Sequence, residues 1–265
     1  MKHTQRAVRI FAILILIGCA AAGGYRFTAD TRGATTSPIL LELFTSEGCS
    51  SCPPADKLME ELDSSQPIPG AQIIALSEHV DYWDHEGWKD PYGSHSLSER
   101  QTDYAHALGL NTVYTPQIIV DGFRELKGSD SQGIVQVFEK ATAEPKIPVR
   151  ISAVHFESAR ATAHAHVEVD GVSAKRNADI YMAVALDHAE SQVLNGENQG
   201  KHLTHVAVVQ VLKKIGKLEK SKDFRQDAEI KLPSAADPKN VRVVAFVQES
   251  GPGKVIGAAM QKGTD

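Results

Sequence analysis

Cysteine is scarce in this chain: three residues of 265, at positions 19, 49 and 52. A basic excess is also missing, since 28 Lys and Arg stand against 33 Asp and Glu, a formal net charge of −5. Phosphate backbones and anionic lipids are held by clustered positive charge, so this balance argues against nucleic acid, and against electrostatic membrane docking, as the working partner. Gly and Pro, 20 and 12 residues, are too few for a fibrous or disordered chain. The sequence has no internal repeat and no low-complexity tract. It also lacks a Gly-rich phosphate loop, a G-x-S-x-G elbow and an H-E-x-x-H zinc helix. At 42% hydrophobic residues it can bury a core, as one large domain or two ordinary ones.

The N-terminus reads as a targeting segment over residues 1–24. Lys2, Arg6 and Arg9 form a basic region, Ile10 to Ile17 an apolar run, and Gly18 to Gly24 a small-residue tail. Basic, apolar, small is the order of a secretory signal, and the run is shorter than the roughly 20 residues of a membrane span. Leu16-Ile17-Gly18-Cys19 resembles a bacterial lipobox, which makes Cys19 a candidate lipidation site. Cleavage after Ala20-Ala21-Ala22 and an uncleaved anchor are the alternatives. Each places the body outside the cytoplasmic membrane, periplasmic or secreted, with the N-terminal segment as its membrane contact. Residues 25–36 are polar and small, as in a tether.

From residue 37 the pattern predicts a strand (Ile39 to Phe44), a loop, and a helix opened by Pro53 and Pro54, where a missing N–H is tolerated. Ala55, Leu58, Met59 and Leu62 fall on one helical stripe. Ile73 to Leu76 is a second strand. Ser96 and Glu99 form a capping box for a helix over about 97–108. Thr112 to Val120 reads as a strand broken by Pro116, with Asp121-Gly122 as a hairpin turn and Ile134, Phe138 and Ala141 marking a last helix. The order β-α-β-α-β-β-α resembles the thioredoxin-like arrangement. Beyond Pro145 and Pro148 the pattern changes to about seven strand-like runs, including 203–212, which also fits a helix. The expected fold is thus α/β plus β: a thioredoxin-like domain over 37–145 followed by a β-sandwich-like domain over 148–265.

The chemistry concentrates at Gly48-Cys49-Ser50-Ser51-Cys52. A two-residue spacing closes too small a loop to staple a fold, so in an oxidising compartment the pair reads as redox-active or metal-binding. Placed between a strand and a helix, Cys49 sits near unpaired N–H groups and the positive end of the helix dipole, which favour a thiolate nucleophile. Cys52, one turn further in and expected to be the more buried, suits the resolving role. Glu47 lies nearby in sequence and, if close in space, would oppose that thiolate. Pro116 falls in a run that reads as strand, where Pro is normally excluded, and with Thr115 it is a candidate cis substrate-binding loop. Trp83, in the aromatic and acidic stretch His79 to Pro91, is a candidate wall of the same site. His79-x-Asp81 lacks the spacing and further ligands of a metal site, so no metal is assigned. His164 and His166 would share one strand face, while His202 and His205 would point to opposite faces; all four read as structural or solvated.

The segments LFTSEGCSSCPPAD (43–56), SEHVDYWDHEGWKDP (77–91), RQ (100–101), VYTPQIIVDG (113–122) and LTHVAVV (203–209) together resemble a secreted thioredoxin-like family of bacteria known as domain of unknown function 1223. The resemblance implies a thioredoxin-like fold with an added β-rich part. Cys49, Cys52, Thr115 and Pro116 carry over onto the general thioredoxin pattern, and the C-x-x-C implies a thiol–disulfide oxidoreductase with Cys49 and Cys52 catalytic and Thr115 and Pro116 substrate-binding; Gly48 and Trp83 are added as substrate-site candidates from the sequence itself. No organic cofactor is required, because the two sulfurs carry the electrons, and the partner is a protein or small-molecule thiol or disulfide. The Trp-Cys-Gly-Pro-Cys form of ordinary thioredoxins is absent. A copper(I)-handling role for the two thiols, or a non-enzymatic envelope module, are the competing readings.

Overall fold

The computed structural model describes residues 36–128, 130–234 and 236–263. The targeting segment, with Lys2, Arg6, Arg9 and Cys19, lies outside the described residues, as does all of the 25–36 tether except Thr36. Among the described residues no helix is long and apolar enough to cross a membrane.

The chain runs β1 (Ser37–Thr45), α1 (Pro53–Ser65), β2 (Ala71–His79), α2 (His95–Leu108), β3 (Gln117–Val120), β4 (Arg124–Lys127) and α3 (Ser131–Thr142). Seven strands follow: β5 (Val149–Glu157), β6 (Thr162–Val169), β7 (Ala178–Gln192), β8 (His202–Leu218), β9 (Phe224–Lys231), β10 (Val241–Glu249) and β11 (Val255–Lys262). The ambiguous run 203–212 is strand, because it pairs along almost its whole length with β7. Strand β3 starts only after Pro116. Helix α2 begins at His95, so Ser96 and Glu99 lie inside the helix and form no cap. Its entry is fixed instead by backbone, Ser94 N–H donating to the His79 carbonyl at 3.0 Å.

Eight strands form one mixed sheet in the order β11-β10-β7-β8-β2-β1-β3-β4, and β5-β6-β9 form a second. Strand β1 pairs parallel with β2 and antiparallel with β3. Strands from the two expected units share the large sheet: β8 joins β2 in parallel at Ser77↔Val208. Without it β2 would be an exposed edge, yet nearly every residue of β2 is buried. The change of pattern at Pro145–Pro148 thus marks a switch from helical crossovers to antiparallel strands, four of which extend the large sheet and three of which form the second.

Alternation along β1 assigns the two faces. Ile39, Leu41 and Leu43 pack with Met59 and Leu62 of α1 and Phe138 of α3. Leu40 packs on the other face, with Leu97 of α2 and Phe246 of β10. The second sheet supplies Ala163, Val167 and Ile230 to a third core against Ile180, Met182, Val243 and Ala245 of β7 and β10.

On the α2 face an ionic network is sealed into the apolar layer. Arg100 of α2 donates through Nε to Glu42 Oε1 at 2.8 Å, and Tyr104 Oη donates to Glu42 Oε2 at 2.7 Å. Gln248 Nε2 donates to Tyr104 Oη at 2.9 Å, tying β10 to α2. The guanidinium also lies over the Tyr181 and Phe246 rings, 5.5 and 5.4 Å from their centroids. Glu78 is fully buried 3.5 Å from Arg100 Nε, and among the described residues neither of its oxygens has a hydrogen-bond partner. Burial first, and Glu42 second, push Glu78 well above the usual carboxylate range, so the site favours the protonated form of its carboxyl.

The folded state therefore keeps a Glu78 proton that the unfolded chain releases above its ordinary value of 4.5. With the folded pKa raised, this contribution is complete at acid pH and is lost as pH climbs from there toward the folded value. Chemical denaturation from pH 5 to 8 is expected to show Glu78→Gln with a flatter pH dependence than the parent and a relative gain at the alkaline end. An identical slope in both proteins contradicts a neutral Glu78.

Candidate functional site

The C-x-x-C segment follows the C-terminal end of β1. Cys49 N–H donates to the Ser46 carbonyl at 3.1 Å and Cys52 N–H to the Cys49 carbonyl at 3.2 Å, a tight turn that leads directly into α1. Cys52 is the N-cap residue, and Pro53 and Pro54 occupy the first turn. The two sulfurs are joined as a disulfide, with Cα atoms 5.4 Å apart.

Two features differ from the sequence expectation. The helix start is poor in free donors, because Pro53 and Pro54 carry no N–H and the amides of Ala55 and Asp56 bond back to the Cys52 carbonyl. What α1 offers a thiolate is mainly the field of its dipole. Second, Cys49 is as buried as Cys52, both at 0% exposure. The 193–201 connection between β7 and β8 packs over the backbone of this turn. The buried Asn198 carboxamide donates to the Glu47 carbonyl at 2.8 Å and to the Cys49 carbonyl at 2.9 Å. Ser50 N–H donates to Glu197 Oε2 at 3.0 Å. Gly196, at φ 75°, brings this connection against Trp88, where an added Cβ would meet the Trp88 Cβ at 3.1 Å.

The other residues singled out from sequence converge on the same turn. The Thr115–Pro116 peptide is cis. Trp83 Nε1 donates to Thr115 Oγ1 at 2.8 Å, and Gly48 faces Trp83 so closely that a Cβ there would lie 3.0 Å from the indole's Cβ. Pro116 and Ala55 of α1 both press on Gly128, where a Cβ would come within 2.6 and 2.8 Å of them. Gln101 braces this loop from α2, donating to the Tyr114 carbonyl and to Gln117 at 2.7 and 2.9 Å. Gly48, Cys49, Cys52, Trp83, Thr115 and Pro116 thus form one patch, rimmed by the exposed Ser50 and Ser51. The broad surface cleft lined by Ser37, Lys146 and Met260 lies at the other end of β1 and shares none of these residues.

Beneath the patch is a charged cluster that the sequence did not reveal as a unit. Glu47 Oε2 accepts from Trp88 Nε1 at 2.8 Å, and Oε1 lies 3.3 Å from His205 Nε2. His205 Nδ1 is 3.8 Å from Asp56 Oδ1, which also accepts from Thr45 Oγ1 at 2.8 Å. Neither histidine contact is a short, straight hydrogen bond, and desolvation disfavours a charged ring. The two buried carboxylates outweigh that penalty and raise His205 to about 10, so it is a cation at neutral pH. Beside it, His79 Nδ1 meets Asp90 Oδ2 at 2.8 Å, and the two imidazoles stand edge to face, 4.7 Å apart. Burial alone would raise Asp90, but His79 and the backbone amides of Glu47 and Tyr92 bring it down to about 2. Among the described residues no cluster of His, Cys, Asp and Glu has the geometry of a metal site. His202 is exposed and His205 buried, so their side chains do point to opposite faces of β8, and His164 and His166 share a partly exposed face of β6.

A family model described as Protein of unknown function (DUF1223) matches residues 40–248, and the chain belongs to that family. Among solved structures it is similar to a protein from Agrobacterium tumefaciens at 26% identity and a TM-score of 0.65, over 87% of this chain and 96% of that one. It is also similar to HBP35 of Porphyromonas gingivalis, at 16% identity and a TM-score of 0.61, over 87% of this chain and 76% of that one; this likeness concerns the fold alone. No curated protein matches the chain.

Replacing Asn198 with Ala takes the side-chain donor from the buried Glu47 carbonyl and leaves the Cys49 carbonyl with the Cys52 amide alone, and is expected to destabilise the protein by about 1–3 kcal/mol in chemical denaturation. In the reduced protein it should also speed alkylation of Cys49 relative to the parent. Unchanged alkylation would mean that Asn198 does not govern access to the sulfur.

Proposed function

We propose that this member of the DUF1223 family is a thiol–disulfide oxidoreductase of the cell envelope, built on a thioredoxin-like arrangement. The observation that carries the reading is the convergence of a C-x-x-C disulfide, at the first turn of α1, with the Thr115–Pro116 loop. The order β2-β1-β3-β4, with α1 and α3 on one face and α2 on the other, supports the thioredoxin-like part of the proposal. The envelope location rests on the basic, apolar and small segments at the N-terminus.

In the oxidising direction a substrate thiolate attacks the Cys49 sulfur. The Cys49–Cys52 bond breaks, a mixed disulfide forms, and Cys52 leaves as a thiolate that takes up a proton. A second substrate thiolate then attacks the substrate sulfur of the mixed disulfide and releases Cys49. Two electrons and two protons pass from the substrate dithiol to the Cys49–Cys52 pair. In the reducing direction Cys49 attacks a substrate disulfide and Cys52 resolves the mixed species. Both sulfurs start buried, so either direction requires the Asn198 cover to yield to the substrate. The backbone of Thr115, the Trp83 indole and Gly48 supply the adjoining contact surface.

Equilibration of the purified protein in glutathione buffers, read by mass spectrometry after alkylation, is expected to show a reversible two-electron transition. A midpoint near about −270 mV marks a reductant and one near about −120 mV an oxidant. Absence of any transition overturns the reading. Cys49→Ser is expected to abolish exchange, and Cys52→Ser to accumulate mixed disulfides through Cys49. Equal trapping by both variants reverses or removes the assignment of roles.

A further inference from the structure

The sequence places an acid, Glu47, two residues before the nucleophile, and the fold adds a second, Asp56, one turn into the helix that Cys52 caps. Both are buried, at 0% and 5% exposure. Two unscreened carboxylates in a dry site disfavour a third anion nearby, so taken alone they would oppose the thiolate on which exchange depends. The structure places one more group between them. His205, reached only through β8, is 1% exposed, with one ring nitrogen 3.3 Å from Glu47 and the other 3.8 Å from Asp56.

We propose that His205 is a positioning residue of the dithiol centre: it holds a positive charge between Glu47 and Asp56, so that the Cys49 thiolate forms beside a charge-compensated pocket. The inference rests on the oxidoreductase reading and deepens it, because it names the group that sets the electrostatics of the pair. The neighbouring groups fit this role. Trp88 Nε1 holds the outer oxygen of Glu47, leaving Oε1 toward the ring, and Thr45 Oγ1 holds Asp56 Oδ1, the oxygen that faces His205. His79 is taken up by Asp90, and Tyr92 stacks edge-on against both imidazoles. On the outer side, Glu197 is held at the Ser50 amide. The titratable groups around the centre are thus Glu47, Asp56, His79, Asp90, Tyr92, His205 and Glu197, and His205 is the cation set directly between Glu47 and Asp56. Its raised pKa keeps that charge across the neutral range.

The test uses the full protein, with two readouts that a purely structural role would not move in a set direction. These are the Cys49 thiol pKa, from the pH dependence of alkylation, and the dithiol–disulfide equilibrium against glutathione. His205→Gln is expected to raise the thiol pKa by about one. It should also shift the equilibrium about tenfold toward the disulfide, equivalent to a potential about 30 mV lower. Glu47→Gln, which keeps the cation and removes one acid, is expected to move both readouts the other way. The double variant Glu47→Gln/His205→Gln should return both toward the parent values. Should His205→Gln fail to fold, the Glu47→Gln shift decides. The proposal is overturned if the folded single variants leave both readouts within twofold of the parent, or if the double variant fails to restore them. Absence of any reversible transition in the parent would instead remove the oxidoreductase reading beneath it.

Discussion

A single parallel contact, Ser77 of β2 against Val208 of β8, decides what the rest of the molecule can be. It closes the side of β2 that β1 leaves open and continues the sheet into the antiparallel strands β7, β10 and β11. Because β8 lies beside β2, His205 arrives under the end of β1, and the β7–β8 connection arrives over it. The cysteine turn is consequently enclosed by chain from both halves of the sequence: Glu47 and Asp56 from the first, Asn198 and His205 from the second. Loss of this pairing would expose an apolar strand and separate the site from its cover and its cation together.

The molecule handles buried charge in two ways. Beside the cysteines, acids and histidines interleave, and each acid has a positive or donating neighbour. In the α2 layer a lone guanidinium meets two carboxyls, and the surplus is removed by protonating Glu78. A buried ion pair is weak support for stability, since desolvation offsets much of the Coulomb gain, but removing one partner of a buried pair costs about 3–5 kcal/mol. These clusters therefore specify more than they stabilise: α2 seats where Arg100 meets Glu42, and β8 where His205 meets Glu47.

Much of the fold was legible. Strand alternation, the Pro53-Pro54 helix start and the seven later runs gave the element order because each rests on local periodicity or turn chemistry. The patch of Gly48, Cys49, Cys52, Trp83, Thr115 and Pro116 was legible because its residue types carry their own signals. The shared sheet was not, since pairing across about 130 residues leaves no local mark. Equal burial of Cys49 was not legible for the same reason: its cover is an asparagine in an ordinary Asn-Gly-Glu-Asn turn. His205 looked like one polar residue on a strand, and its meaning depends on which strand lies beside it. The one local sign was Glu47, whose proximity to Cys49 posed a problem that only the tertiary structure resolves.

The Asn198 cover also bears on how the protein matures. It comes from a residue 149 positions downstream of Cys49. As the chain emerges from its N-terminus, the cysteine turn is complete long before the segment that shelters it exists. During that interval Cys49 and Cys52 are open to any thiol or disulfide in their surroundings. The shelter of the turn is thus completed only when β8 docks and brings Asn198 onto the Glu47 and Cys49 carbonyls.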